Sequence, residues 1–102
     1  MSQAEIHVFI KRYSERLKSE GFTVRNIICP ECVSPVINGV IPEIYAEEGD
    51  VKRIIAIKED GYNWRSKELD KLREYARLHQ AVSYWEFSVN SNGEWRLIEN
   101  IM

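Results

Sequence analysis

Hydrophobic and polar positions follow a helical period at the start of the chain. The apolar side chains recur every three or four residues, as on the buried face of a helix. They are Ile6, Phe9, Ile10, Tyr13 and Leu17. The pattern predicts a first helix over residues 3–20. Ser2 and Glu5 are spaced as a capping box at its start, and Gly21 is suited to end it.

The next part of the chain reads as three strands, at residues 22–29, 40–46 and 51–58. Asn38-Gly39 predicts a turn before the second strand, and residues 47–50 a turn after it. Pro42 lacks an N–H donor, which favours an edge position or a bulge for that strand. The third strand is apolar on both faces, which is typical of a central, covered strand.

A second helical pattern begins after a loop at residues 59–65. Ser66 is suited to cap a helix over residues 67–80. Its apolar stripe comprises Leu69, Leu72, Tyr75, Ala76 and His79. Two more strands follow, at residues 81–89 and 94–98. The order α-β-β-β-α-β-β predicts a single α/β domain over residues 1–102, with a central mixed sheet and a helix on each face.

Composition narrows the class of protein without assigning a function. The chain has 102 residues, of which 44% are hydrophobic and 29% charged, and a net charge of −2. These values are ordinary for one globular domain and do not favour a strongly basic nucleic-acid binder, although a local basic face stays open. We expect a cytoplasmic protein, because the chain shows neither a bilayer-spanning apolar run nor the apolar core of a secretory signal.

Two short motifs lie on the predicted hairpin. Pro42-Glu43 falls on the second strand, and Ala56-Ile57-Lys58 ends the third. With the element order, they resemble the PD-(D/E)XK nuclease superfamily, which includes restriction endonucleases and archaeal Holliday junction resolvases. The resemblance covers about residues 3–90 and implies a restriction endonuclease-like fold. A complete catalytic set would imply a Mg²⁺-dependent DNA endonuclease or resolvase.

The resemblance also implies roles for individual residues. Glu43 corresponds to the acid that binds the metal, and Lys58 to the lysine that orients the attacking water. The second metal-binding acid is replaced by Ala56, which puts metal binding and hydrolysis in doubt. Mg²⁺ is commonly held by one or two carboxylates. A helix acid could complete the site, and the candidates are Glu5, Glu15 and Glu20. Without a metal, Glu43 and Lys58 would form a cross-strand ion pair.

Other candidate sites rest on weaker patterns. Cys29 and Cys32 have the spacing of a zinc-binding or redox pair, but no further ligands are suitably spaced. Two cysteines do not imply a disulfide framework. The two histidines, His7 and His79, are interpreted as helix-surface residues. Aromatic and basic side chains near the second helix are candidates for nucleic-acid binding, namely Trp64, Arg65, Lys67 and Lys71.

Two hypotheses about function follow. The first is a nuclease-like domain that binds or processes DNA and is catalytically impaired by the loss of the second acid. The alternative is a small non-enzymatic interaction or regulatory protein that reuses the nuclease fold. In the second case, an exposed sheet edge would pair with another copy to form a homodimer.

Overall fold

The computed structural model describes residues 3–59, 66–89, 92 and 94–101. Its elements follow the predicted order α-β-β-β-α-β-β. They are α1 (Gln3–Ser19), β1 (Thr23–Asn26), β2 (Ile44–Glu48), β3 (Val51–Glu59), α2 (Ser66–Leu78), β4 (Val82–Val89) and β5 (Trp95–Ile101). Ser2 and the loop that carries Trp64 and Arg65 lie outside the described residues.

The five strands form one mixed sheet in the order β1-β2-β3-β4-β5. All neighbouring strands are antiparallel except β3 and β4, which are parallel. A parallel pair needs a crossover, and α2 lies in this connection. The central position predicted for β3 is confirmed, and Ile54, Ile55 and Ala56 within it have no exposed surface.

The two helices cover opposite faces of the sheet, as predicted. Alternate residues of β3 point to opposite faces, so Ile55 and Ile57 pack with α1 whereas Ile54 and Ala56 pack with α2. The helix residues of the first core are Phe9, Ile10, Tyr13 and Leu17. Those of the second are Leu69, Leu72 and Ala76. The apolar stripes of the sequence therefore form two cores, one on each face.

The first strand is shorter than predicted because a side chain turns the backbone. The Asn26 carboxamide Oδ1 accepts hydrogen bonds from the backbone N–H of Ile28 at 3.0 Å and of Cys29 at 2.8 Å. Local bonds of this kind compete with strand pairing. The strand consequently ends at Asn26, and the chain enters the loop that contains both cysteines.

The edge position predicted for the second strand is wrong. β2 lies between β1 and β3, and it begins at Ile44, two residues after Pro42. The proline therefore removes no donor from the β2 ladder. Asn38 and Gly39 do form the predicted turn, with φ angles of 52° and 82°. The hairpin turn after β2 is narrower than predicted, since Glu48 already pairs with Val51.

His79 does not belong to the buried stripe of α2. Its ring is exposed and stacks on Tyr75 with 3.9 Å between the ring centroids, and its Nδ1 lies 2.8 Å from the Tyr75 carbonyl. The interpretation of both histidines as surface residues agrees with this position, because His7 is also exposed. Among the described residues, no helix is long and apolar enough to cross a membrane.

Candidate functional site

Glu43 and Lys58 lie at the same end of the sheet, close to Ala56. β2 begins where β3 ends, because the two strands are antiparallel. Ile44 pairs with Ile55, so the next step of the register places Glu43 opposite Ala56. Lys58 follows two residues later on the face that Ala56 shares with α2. The topology therefore brings together the positions that the two motifs predicted.

Glu43 is held by the backbone of the sheet. Its side chain is buried, and Oε1 accepts a hydrogen bond from the Ile57 N–H at 2.8 Å. Its own carbonyl accepts one from the Ile27 N–H at 3.2 Å. The carboxylate thus continues the ladder of β3 by one step, from the residue just before β2 begins. This is a structural task, and it occupies Oε1 of the carboxylate.

Lys58 is half-buried on β3. The ion pairs among the described residues do not join it to Glu43. Glu43 accepts its hydrogen bond from the backbone N–H of Ile57.

The candidate helix acids lie on the other side of the sheet, where α1 packs against Ile55 and Ile57. Glu15 and Glu20 are exposed, and Glu20 pairs with Arg16 at 3.3 Å. Glu5 is half-buried, and its Oε2 is buried without a hydrogen-bond partner.

These donors make a weak site for Mg²⁺. Within the described parts of the chain, no group of three or more His, Cys, Asp or Glu side chains is arranged to hold a metal. Glu43 supplies one carboxylate, while the fully buried Ala56 supplies none. Mg²⁺ prefers several oxygen ligands, and these motif positions supply one carboxylate.

A buried ionic cluster that the sequence analysis missed lies next to Ala56 on the α2 face. Glu86 on β4 is only 2% exposed and pairs with Ala56 across the parallel strands. Its Oε1 accepts hydrogen bonds from Arg73 Nη2 and from the Tyr84 hydroxyl, the latter at 2.5 Å. Arg73 also binds Glu99 at 2.7 Å and Asp70 at 2.6 Å. The sequence signal for this cluster was Glu86, a single acid within the largely apolar strand β4.

The cluster raises the pKa of Tyr84 and of Arg73. Burial, the hydrogen bond to Glu86 and the Glu86 charge raise the pKa of Tyr84. Burial alone would lower the pKa of Arg73, but Tyr84, Glu86 and Glu99 outweigh it and raise that pKa above its ordinary value. The carboxylate of Glu86 is therefore the buried ion-pair partner of the Arg73 guanidinium.

Cys29 and Cys32 form a disulfide in the loop after β1. Two hydrogen bonds of Asn26 hold this loop in place. Its backbone N–H donates to the Cys32 carbonyl at 3.0 Å, and its side-chain Oδ1 accepts from the Cys29 N–H. Because both sulfurs are bonded to each other, neither is a thiolate that could bind zinc.

The described candidates for nucleic-acid binding lie near the Glu43 end of the sheet. Lys67 and Lys71 are exposed on the first half of α2, which starts where β3 ends. The Lys71 carbonyl accepts a hydrogen bond from Asn38 Nδ2 at 3.0 Å, which ties the loop before Glu43 to α2. Trp64 and Arg65 fall outside the described residues.

Comparison with known proteins adds no assignment to this geometry. No protein-family model matches the chain, and a search of curated proteins gives no match.

Proposed function

We propose that this chain is a nuclease-like DNA-binding domain of the restriction endonuclease-like fold that does not cleave by metal catalysis. The observation that carries this proposal is the pairing of Glu43 with the backbone of Ile57 beside a fully buried Ala56. The mixed sheet with a helix on each face supports the fold part of this proposal. The fold would then present its motif positions without a metal site.

A basic surface at the Glu43 end supports contact with DNA. Lys58, Lys67 and Lys71 share this end, because β3 runs toward it and α2 starts from it. Lysine side chains attract phosphates without reading sequence. The acids interleaved on α2 moderate this attraction, so we expect modest, salt-sensitive binding with low sequence preference.

Fluorescence anisotropy of a labelled DNA duplex tests the proposal. We expect the joint change Lys58→Gln, Lys67→Gln and Lys71→Gln to weaken binding at least tenfold at low salt, equivalent to about 1.4 kcal/mol. The matched control removes three exposed charges of α1, on the other face of the sheet: Lys11→Gln, Arg12→Gln and Lys18→Gln. Equal losses in the two triple variants would show that net charge, and not this surface, drives binding.

Incubation of the same duplex with Mg²⁺ or Mn²⁺ separates binding from cleavage. We expect bound DNA to stay intact. Cleavage by the wild-type chain that disappears in Glu43→Gln would refute the non-catalytic part of the proposal and restore Glu43 as a metal ligand. Failure to bind any duplex would refute the DNA-binding part.

A second candidate function is that of a homodimeric interaction protein, and the exposed edge of β5 favours it. Within the described residues, β5 is an edge strand with three large apolar side chains exposed: Trp95 at 38%, Leu97 at 43% and Ile98 at 40%. An edge of this kind is a template for pairing with a second chain. Analytical ultracentrifugation tests it: Leu97→Lys should shift a dimer to monomer, while Val8→Lys on α1 should not.

A further inference from the structure

We propose that Arg53 and Trp85 form a separate binding site for a small organic oxyanion, a carboxylate or phosphate attached to a flat apolar body. The site lies on the α1 face of the sheet, near the start of β3 and away from Glu43. It is independent of the proposed function, because none of the residues of the basic surface contributes to it.

Arg53 is held in place by aromatic rings. The centre of its guanidinium lies 4.5 Å from the centroid of the Trp85 ring and 4.9 Å from that of Phe22. Such contacts orient a guanidinium while leaving its N–H groups available, since the rings accept no conventional hydrogen bond. The side chain therefore loses little further freedom when an anion binds.

The charge of Arg53 lacks a protein partner among the described residues. Arg53 forms no ion pair with a described carboxylate, and its Nε is buried without a hydrogen-bond acceptor. A buried donor without an acceptor is destabilising. Arg73 shows the contrast within the same chain, because three carboxylates satisfy it. Arg53 thus presents a fixed positive charge that no described carboxylate balances.

An open pocket of about 260 Å³ adjoins Arg53. At about 30 Å³ per water molecule in the liquid, this volume suits a ligand of about nine non-hydrogen atoms. Val51, Val82 and Trp85 supply apolar lining. The Ser83 hydroxyl is already used, since it accepts from Trp85 Nε1 at 3.1 Å and donates to the Lys52 carbonyl at 3.5 Å. Recognition of the charge therefore falls to Arg53.

Titration followed by ¹H–¹⁵N NMR tests the site through the indole N–H signal of Trp85, assigned with Trp85→Phe. The probes are benzoate and phenyl phosphate, which distinguish the two oxyanions, and benzamide, the neutral isostere of benzoate. We expect a saturable shift with at least one anion and at least tenfold weaker binding of its neutral counterpart. Arg53→Met retains a side chain that packs on the rings and should weaken anion binding at least tenfold, whereas Arg12→Met should not.

Three results would overturn the proposal: no saturable shift with either anion, an equal shift with benzamide, or unchanged binding by Arg53→Met. Should Arg53→Met fail to fold, Arg53→Lys provides the second variant, because it keeps the positive charge and loses the planar guanidinium with its paired N–H donors. The comparison of benzoate with benzamide on the wild-type chain decides the question without any variant.

Discussion

Glu86 lies directly beside Ala56 where β3 and β4 run parallel. The position that lacks the second acid of the motif therefore has a buried carboxylate as its neighbour. That carboxylate accepts from Arg73 and Tyr84, so it balances a charge inside the α2 face. The arrangement ties the sheet to α2 at the place where the resemblance would put a metal.

The ion pair predicts a large stability cost for neutralising Glu86. Glu86→Gln removes the buried negative charge that faces Arg73 and should lower the free energy of unfolding by about 3 kcal/mol. Urea denaturation measures the loss. Glu74→Gln, on the exposed face of α2, should change the free energy of unfolding by less than about 0.5 kcal/mol. Similar values for the two variants would mean that Glu86 is not an energetic partner of Arg73.

Restoring the missing acid should destabilise the chain. Ala56 is completely buried between strands and α2, so Ala56→Glu adds four heavy atoms and a charge to a closed core. Overpacking alone typically costs about 1–3 kcal/mol, and the nearby Glu43 and Glu86 carboxylates add repulsion. Urea denaturation with and without Mn²⁺ checks this. A stable variant with metal affinity would show that the site had room for the acid.

Local patterns in the sequence were sufficient to predict the architecture. The unbroken apolar run of β3 placed that strand at the centre, and the stripes of α1 and α2 predicted one helix on each face. Both predictions rest on periodicity, which neighbouring residues determine. The end of β1 was missed because a single side chain, Asn26, outcompetes strand pairing.

The candidate site was only partly predictable for a different reason. The sequence motifs identified Glu43 and Lys58, and the hairpin does place them at one end of the sheet. The bond from the Ile57 N–H to Glu43 depends on where β2 begins, which the motif does not specify. The contact of Arg73 with Glu86 joins residues thirteen positions apart on different elements, so no local period reveals it.

Glu43 should tolerate loss of its charge better than loss of its acceptor. Glu43→Gln keeps a side-chain oxygen that can accept from the Ile57 N–H, whereas Glu43→Ala leaves that buried donor without this acceptor. We expect Glu43→Ala to cost about 1–3 kcal/mol and Glu43→Gln clearly less. Thermal denaturation compares them. DNA affinity should be retained in Glu43→Gln, and equal destabilisation by both variants would contradict the backbone role.

Stability should fall at high pH because two tyrosines are held neutral. Burial and the neighbouring Glu47 raise the pKa of Tyr45 to about 12, and burial also raises that of Tyr84. An unfolded tyrosine has a pKa of about 10, so the folded state retains its proton longer. The stabilisation is complete below about pH 10 and is lost as pH rises toward 12. Urea denaturation over this range measures the slope, and Tyr45→Phe should reduce it.

The disulfide should stabilise the loop after β1 to a modest degree. Cys29 and Cys32 enclose a short loop, for which the chain-entropy relation gives about 2 kcal/mol. Urea denaturation with and without a phosphine reductant should show a loss of this size in the wild-type chain. The double variant Cys29→Ser and Cys32→Ser should have the same free energy of unfolding as the reduced protein, and adding the reductant should not change it. Because Ile27, at the start of this loop, donates its N–H to the Glu43 carbonyl, reduction should also shift the Glu43 amide signal. An unchanged signal there would show that the loop and the Glu43 end of the sheet are not coupled.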